Sequence, residues 1–313
     1  MTAGAPRDPR PAGQAAAGST PVAAAHAPGP APRRAWPRVA GPAARWSFWE
    51  YNWVIYSKTI RALARARRHA NGRLLDVGCG DRPFAWVLEG RVARYLGVDL
   101  PDSRFVCMRP PDVYARSEAL PFRAAAFDTV LGLSLLTYLP EPLAMLRESN
   151  RVLAPGGTLL LEFTQMRPLR DEPMDFFRFT RYGAQYLLDR AGFEAVEFIP
   201  IGGLWTRVGM SLIAGLNRIN RGPTRVLTEL PVRLLYCVLQ LGSDLLDRLF
   251  FDPREAVGNL AVARKVREAG REGAAGAGGE IPAATESDPA VARAVAARGE
   301  QAPRAGAPAA AAG

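Results

Sequence analysis

The segment Asp76-Val77-Gly78-Cys79-Gly80, followed by Asp99, holds the residues whose types and spacing most clearly suggest chemistry. Gly78 and Gly80 lack a Cβ, so the backbone there can come close to a ligand. A helix expected after the loop would add free N–H groups. Asp99 closes an apolar run and can accept two hydrogen bonds from a vicinal diol such as a ribose. Together these residues describe a nucleoside pocket, although a Gly-x-Gly turn alone is common at the strand ends of any α/β protein. Two details specify what the nucleoside carries. A dinucleotide fingerprint needs a third small residue at position 83, where this chain has Pro83. Asp76, just before the loop, would repel a pyrophosphate and attract an ammonium group, which suits a ligand ending in a zwitterionic amino acid.

A second set of polar groups could move a proton. Tyr138 and the acids of Asp171-Glu172-Pro173-Met174-Asp175 are placed to assist an acceptor hydroxyl, with Tyr138 and Asp175 as the candidate catalytic residues. A structural role competes for Asp175, which stands three residues before Arg178 and can pair with it to fix the loop ahead of Thr180. Phe176, Phe177 and Phe179 would make that border apolar.

These groups need a scaffold that gathers strand ends. An apolar stretch at 73–77 reads as a strand, the glycine loop occupies 78–81, and a helix starts at 84–88. Further strands are expected at 94–99, weakly at 113–116, and at 127–133. A helix at 142–153 stops at Pro155-Gly156-Gly157, where the glycines permit a left-handed turn, and a buried strand follows at 158–163. Thr180 caps a helix that Gly192 ends, and strands at 193–201 and 257–263 complete the series. Strand and helix alternate, which implies an α/β, Rossmann-like seven-stranded, mostly parallel sheet with helices on both faces.

Only the middle of the 313-residue chain has the composition of a folded core. Residues 1–43 and 267–313 are rich in Ala, Pro, Gly and Arg, too poor in large apolar side chains to offset the entropy of ordering, and read as disordered tails. Between them lie a helical lead-in at 44–71, a core at 72–202, an insertion at 203–256 and a last core strand at 257–266. The net charge of +10 comes almost wholly from Arg, since Lys occurs only at positions 58 and 265. The arginines are scattered and accompany no nucleic-acid-binding motif, so nucleic acid is a disfavoured partner. An acidic membrane surface suits the charge about as well. Cys79, Cys107 and Cys237 are widely spaced and odd in number, which argues against a disulfide framework and a metal site and fits a reducing cytoplasm. The N-terminal segment has no apolar stretch of the signal-peptide kind, and none in the chain reaches the ~18 uncharged apolar residues needed to cross a bilayer.

The segments LLDVGCG, YLGVDL, EALPF, FDTVLGLSLLTYLPEP, RVLAPGG and AGFEAVEF, in this order, resemble the class I methyltransferases of the type-11 group. The resemblance covers about residues 72–202 and implies S-adenosylmethionine as cofactor. It places Asp76, Gly78, Cys79 and Gly80 around the methionine part, and Asp99 with Leu100 at the ribose. It puts Ser117 and Glu118 at the adenine, and Leu133 and Ser134 near the sulfur. Two positions depart from the family. Arg116 stands where an Asp is frequent, leaving Glu118 as the acceptor for the adenine amino group, and Tyr138 replaces a His common after the fourth strand. These departures are the support for the alternative of a non-catalytic S-adenosylmethionine-binding or scaffold protein, against which the intact Asp76, Gly78, Gly80 and Asp99 speak. LSLLTYLP lacks the Asn/Asp-Pro-Pro-aromatic segment used for methylating base amino groups.

The expected activity is O- or C-methylation of a small-molecule or lipid-linked acceptor. In the family's sheet the last strand runs antiparallel, so the insertion before it sits beside the acceptor opening as a candidate lid. Residues 204–219 and 225–251, the latter interrupted by Pro231, read as amphipathic helices with Trp205, Met210 and a leucine-rich series from Leu234 to Leu249 as apolar contacts. Two placements stay open. The helices pack on their own domain or in a homodimer, or they rest on a bilayer with Arg207, Arg218, Arg221, Arg225 and Arg233 meeting lipid phosphates. The second placement makes a cytoplasmic protein peripheral to the inner face of the membrane.

Overall fold

A computed structural model describes residues 52–103, 105, 109–220 and 225–270. The expected tail at 1–43, the start of the lead-in, Cys107 and nearly all of the tail at 267–313 lie outside the described residues. Seven strands form one sheet in the order β3-β2-β1-β4-β5-β7-β6. They are β1 (Arg73–Val77), β2 (Arg94–Asp99), β3 (Val113–Tyr114), β4 (Phe127–Leu133), β5 (Leu153–Thr164), β6 (Phe193–Ile201) and β7 (Gly258–Lys265). The first five run parallel, and β7 inserts antiparallel between β5 and β6. Strand order reverses between β1 and β4, which leaves a crevice beyond their carboxyl ends, next to the glycine loop.

Adjacent residues of the central strands serve opposite faces, so the strands read as unbroken apolar runs. Leu75, Val130, Leu159 and Leu161 face one layer with Met145, Leu146 and Leu188 of α2 (Pro142–Val152) and α3 (Arg181–Arg190). Leu74, Leu131, Leu160 and Leu260 face the other, where α1 (Trp53–Ala66) contributes Ile55, Ala62, Leu63 and Ala66. Thr180 caps α3 by accepting from Gly183 N, and Gly192 at φ 82° ends it, both as expected.

Three local expectations need correction. After the glycine loop the chain forms only a 3-10 turn, Ala85–Leu88, and no α-helix. Arg82 at φ 56° and Gly90 at φ 75° bracket that turn, and α1 covers this face of the sheet instead. The fifth strand starts at Leu153, directly after α2, because Gly156 at φ 72° is absorbed as an irregularity between the Phe127–Leu153 and Thr129–Thr158 pairs. Finally, Pro231 does not divide the second insertion helix; α5 (Arg225–Leu249) is continuous and loses only the bond that the proline cannot donate.

In the helix pair α4 (Leu204–Ile219) and α5, α4 buries Ile213 and α5 buries Tyr236 and Cys237, but from residue 238 onward the polarity of α5 is reversed. An amphipathic helix on a globular protein ordinarily buries its apolar stripe. Here α5 buries Gln240, Ser243, Asp244 and Asp247, while Leu234, Val238, Leu241, Leu245 and Leu249 are 48–65% exposed. The inward groups are all engaged. Gln240 accepts from Val54 N at 3.0 Å, Lys58 sits 3.1 Å from Asp244 and 3.2 Å from Asp247, and Arg61 reaches Asp244 at 3.1 Å. Asp247 also accepts from Gly203 N, Trp205 N and the Thr206 hydroxyl, closing the start of α4. The expected apolar series from Leu234 to Leu249 thus does not pack on its own domain. None of the described helices is long and apolar enough to cross a membrane.

Burial raises the pKa of Asp244, but hydrogen bonds and charge from Arg61 and Lys58 outweigh it and hold the carboxyl down at about 2. A depressed carboxylate stabilises fully above its unfolded pKa and loses that contribution as pH falls through the folded value, so this anchor weakens between about pH 4 and pH 2. Asp247→Ala removes three hydrogen bonds to a charged acceptor and one partner of the nearly buried Lys58. We expect it to cost about 3 kcal/mol, or roughly 6–12 °C in Tm for a domain of this size, in thermal unfolding followed by circular dichroism. A Tm within 1–2 °C of wild type, roughly the effect of an ordinary surface substitution, would mean the anchor is unimportant.

Candidate functional site

The loop after β1 is held from below by strand β2. Gly78 N and Cys79 N both donate to Val98 O, at 2.9 and 3.0 Å. Gly78 has φ 71° and Gly80 φ 48°. A Cβ on Gly78 would stand 3.0 Å from Leu135 Cδ1, and one on Gly80 3.1 Å from Phe105 O, so both positions require glycine for conformation and space. Asp99 ties the end of β2 to this loop. Its Oδ2 accepts from Gly80 N at 2.7 Å and its Oδ1 from Leu100 N at 2.8 Å, which leaves each oxygen a further lone pair.

Asp76 is 4% exposed and accepts a hydrogen bond from the Tyr95 hydroxyl. It has no ion-pair partner among the described residues. Burial, reinforced by the charge of Asp99 and opposed by Tyr95 and Arg82, pushes its carboxyl up to about 7. Arg82 lies on the inner side of the loop, 2.9 Å from Asp112 and with its guanidinium 6.0 Å from the Tyr95 ring centroid. Cys79, expected beside the methionine part of the cofactor, turns its side chain away from the loop surface. Its side chain is buried beneath the loop against Gly97 and Arg82, and burial together with the Asp76 charge raises the thiol to about 12. Cys79 therefore shapes the loop and has no reactive thiolate.

Ser117 donates to Glu118 at 3.0 Å, and Arg116 reaches the other Glu118 oxygen at 3.2 Å. The residue that departs from the family pattern thus anchors the acid expected to meet the adenine. At the end of β4, Leu133 is half-buried and Ser134 adopts φ 55°, aiming its hydroxyl at Glu162 of β5. Among the described residues no group of three or more His, Cys, Asp or Glu could hold a metal ion.

The two candidate proton acceptors are both otherwise committed. Tyr138 donates its hydroxyl to Asp171, and burial with that bond raises the phenol to about 12, too high for a base near neutral pH. Asp175 is paired with Arg178 and accepts from Arg170 N at 2.9 Å, and the Arg178 bond holds its carboxyl below the usual range. The pairing is the structural role weighed for Asp175. Glu162 and Arg167 were not identified as candidates from sequence, yet both line the cleft between α1 and the ends of β4, β5 and β7. The signal was available: Glu162 is the one charged residue in the apolar run LLLEF, and an acid in a buried strand has a cost that calls for an explanation.

Residues 75–161 match the family model described as a methyltransferase domain of the type-11 group. A tRNA U34 carboxymethyltransferase of Saccharophagus degradans is 32% identical over 127 residues, covering 36% of this chain and 38% of that protein. A ubiquinone biosynthesis O-methyltransferase of Psychrobacter arcticus is 28% identical over 148 residues, covering 42% of this chain and 54% of that one. Among solved structures, an S-adenosylmethionine-dependent methyltransferase from Mesorhizobium loti aligns with a TM-score of 0.41 at 16% identity, over 69% of this chain and 98% of its own. The chain spans about two fifths of the length of the tRNA enzyme and about half of the quinone enzyme. The matched segment contains the glycine loop, both acids at the strand ends and Ser134, so the likeness to the type-11 methyltransferase domain rests on the same residues that build the site.

Proposed function

We propose that this protein transfers a methyl group from S-adenosylmethionine to a small-molecule or lipid-linked acceptor. The observation that carries the reading is a buried carboxyl, Asp76, without an ion-pair partner among the described residues, beside a glycine loop braced by Asp99. These residues fit the cofactor. The absence of a Cβ at Gly78 and Gly80 lets a ligand come close to the backbone, the spare lone pairs of Asp99 suit the ribose hydroxyls, and an ammonium group would give Asp76 the ion-pair partner it lacks. The same reading assigns Ser117 and Glu118 to the adenine edge and Leu133 and Ser134 to the neighbourhood of the reacting carbon. The cofactor, when bound, supplies a methyl group already activated by a sulfonium, so alignment of the acceptor can provide most of the acceleration.

The inverted stretch of α5 supports a lipid-facing position at the inner leaflet. Its acids Asp244 and Asp247 point inward; of the arginines expected to meet lipid, Arg218 and Arg233 are exposed, the latter beside Glu229, Arg207 pairs with Glu255, and Arg221 and the Arg225 side chain lie outside the described residues. Such a face matches an anionic bilayer surface. A nucleic-acid acceptor is the second reading, favoured by the net charge of +10 and by the tRNA enzyme among the relatives, which weigh against setting nucleic acid aside on motif grounds.

Calorimetric titration with S-adenosylmethionine should give saturable binding that Asp99→Ala weakens at least tenfold; no binding by the intact protein removes the proposal. Binding without methyl transfer to any fraction of a cell extract returns the scaffold alternative. Affinity should also depend on pH. Asp76 must give up its proton to meet the ammonium group, so binding strengthens as pH rises from about 6 to 8, and Asp76→Asn should be weak and flat over that range. Flotation with phosphatidylglycerol-containing liposomes should carry the wild-type protein upward and leave Val238→Glu/Leu245→Glu below. Equal recovery of the two would sink the membrane placement.

A further inference from the structure

The cleft between α1 and the strand ends holds about 440 Å³ of space that includes its open mouth. Tyr56 and Thr59 of α1 form one wall, and Ser134, Glu162 and Arg167 form the polar floor. Ile201, Val257 and Gly258, where the helix pair leaves and rejoins the sheet, close the far side. Two features of the floor have no structural return. Glu162 is buried between the backbones of β4 and β7, opposite Leu133 and Leu260, and its carboxylate is met by the Ser134 hydroxyl. Arg167 carries a buried Nε with no hydrogen-bond partner, and no ion pair to its guanidinium occurs among the described residues. Burying a charged group without a partner is strongly unfavourable, and fixed polar groups that remain unpaired in a cleft are those a ligand completes.

The charges indicate the sort of ligand. Burial and the neighbouring Arg170 work against the Arg167 cation and outweigh the nearby charge of Glu162, lowering it to about 10, while no carboxylate among the described residues comes within ion-pair distance of the guanidinium. A guanidinium meets a carboxylate or phosphate through two parallel N–H bonds, whereas a neutral carbonyl returns far less. Glu162 faces the opposite deficit. It has accepting capacity left beyond the Ser134 bond, and burial raises its affinity for a proton against the opposing effects of that bond and of the Arg167 and Arg170 charges.

We propose that this cleft is the acceptor site of the methyltransferase reading on which this inference rests, and that it takes a hydroxylated compound bearing a carboxylate or phosphate. Arg167 pairs with the anionic group, and Glu162, steadied by Ser134, receives the proton of the hydroxyl to be methylated. In the transfer the acceptor oxygen gains the methyl carbon, the electron pair of the broken carbon–sulfur bond stays on sulfur, and the hydroxyl proton passes to the Glu162 carboxylate.

The test is calorimetric, on the full chain saturated with S-adenosylhomocysteine, with 3-hydroxybenzoate, benzoate, phenol and phenyl phosphate as probes. Wild type should bind 3-hydroxybenzoate or phenyl phosphate at least tenfold more tightly than phenol. Arg167→Gln should abolish that preference and Arg167→Lys keep part of it. Glu162→Gln should retain the preference for the anion but bind 3-hydroxybenzoate and benzoate equally, whereas wild type favours the former. No preference for the anionic probes over phenol in wild type overturns the proposal, as does an unchanged preference in Arg167→Gln. The cofactor's own carboxylate is the other source of an anion. If Arg167→Gln weakens S-adenosylhomocysteine but not 5′-methylthioadenosine, which lacks that group, the arginine serves the cofactor and the acceptor assignment is overturned. Failure of the wild type to bind S-adenosylhomocysteine refutes the function and this inference together; binding it without anion preference refutes this inference alone.

Discussion

The carboxylate of Asp99 is the tie on which the rest of the site depends. Each oxygen is held by a backbone N–H, one from the loop after β1 and one from its own strand end. The loop is therefore positioned by the next strand over, not by a helix following it, and the short 3-10 turn at Ala85–Leu88 is sufficient. This arrangement makes the acid immobile before any ligand arrives, so little ordering entropy is left to be lost on binding. It also explains why the two glycines must be glycines. The loop is pressed between Val98 below and Leu135 and Phe105 above, with no space for side chains.

A second regularity is where the unfavourable groups are collected. The sheet is apolar on both faces, yet Asp76, Asp99 and Glu162 are all buried close to its carboxyl edge. Isolated carboxylates in such surroundings are destabilising, and the domain tolerates them because two continuous apolar layers support the same strands from either side. Stability is supplied along the strands and consumed at their ends. Tyr138 and Asp175 show the contrast: both are satisfied by neighbours, Asp171 and Arg178. A group already satisfied has little left to offer a ligand.

Much of this was legible in the residues. The alternation of apolar runs located β1, β2, β4 and β6 to the residue, and local cap chemistry at Thr180 and Gly192 delimited α3. What failed was whatever depends on distant partners. The start of β5 is fixed by pairing across to Phe127, which the Pro-Gly-Gly signal could not reveal. The amphipathic pattern of α5 announced two unlike faces but not which one turns inward, since that is decided by Lys58, Arg61 and the Val54 amide on another helix. Arg167 was hidden for the same reason. A guanidinium among many reads as surface charge until its neighbours are known to leave it unpaired.

The inward polar face of α5 also settles how the helix pair can move. Lys58 lies between Asp244 and Asp247, and Gln240 holds the first turn of α1, so α1 and α5 are pinned at several points along their length. A swinging lid would have to break a nearly buried ion pair each time it opened. The pins and the cleft wall share one element, since Tyr56 and Thr59 of α1 line the cleft, so the leucine stripe outside and the cleft inside are fixed to the same helix.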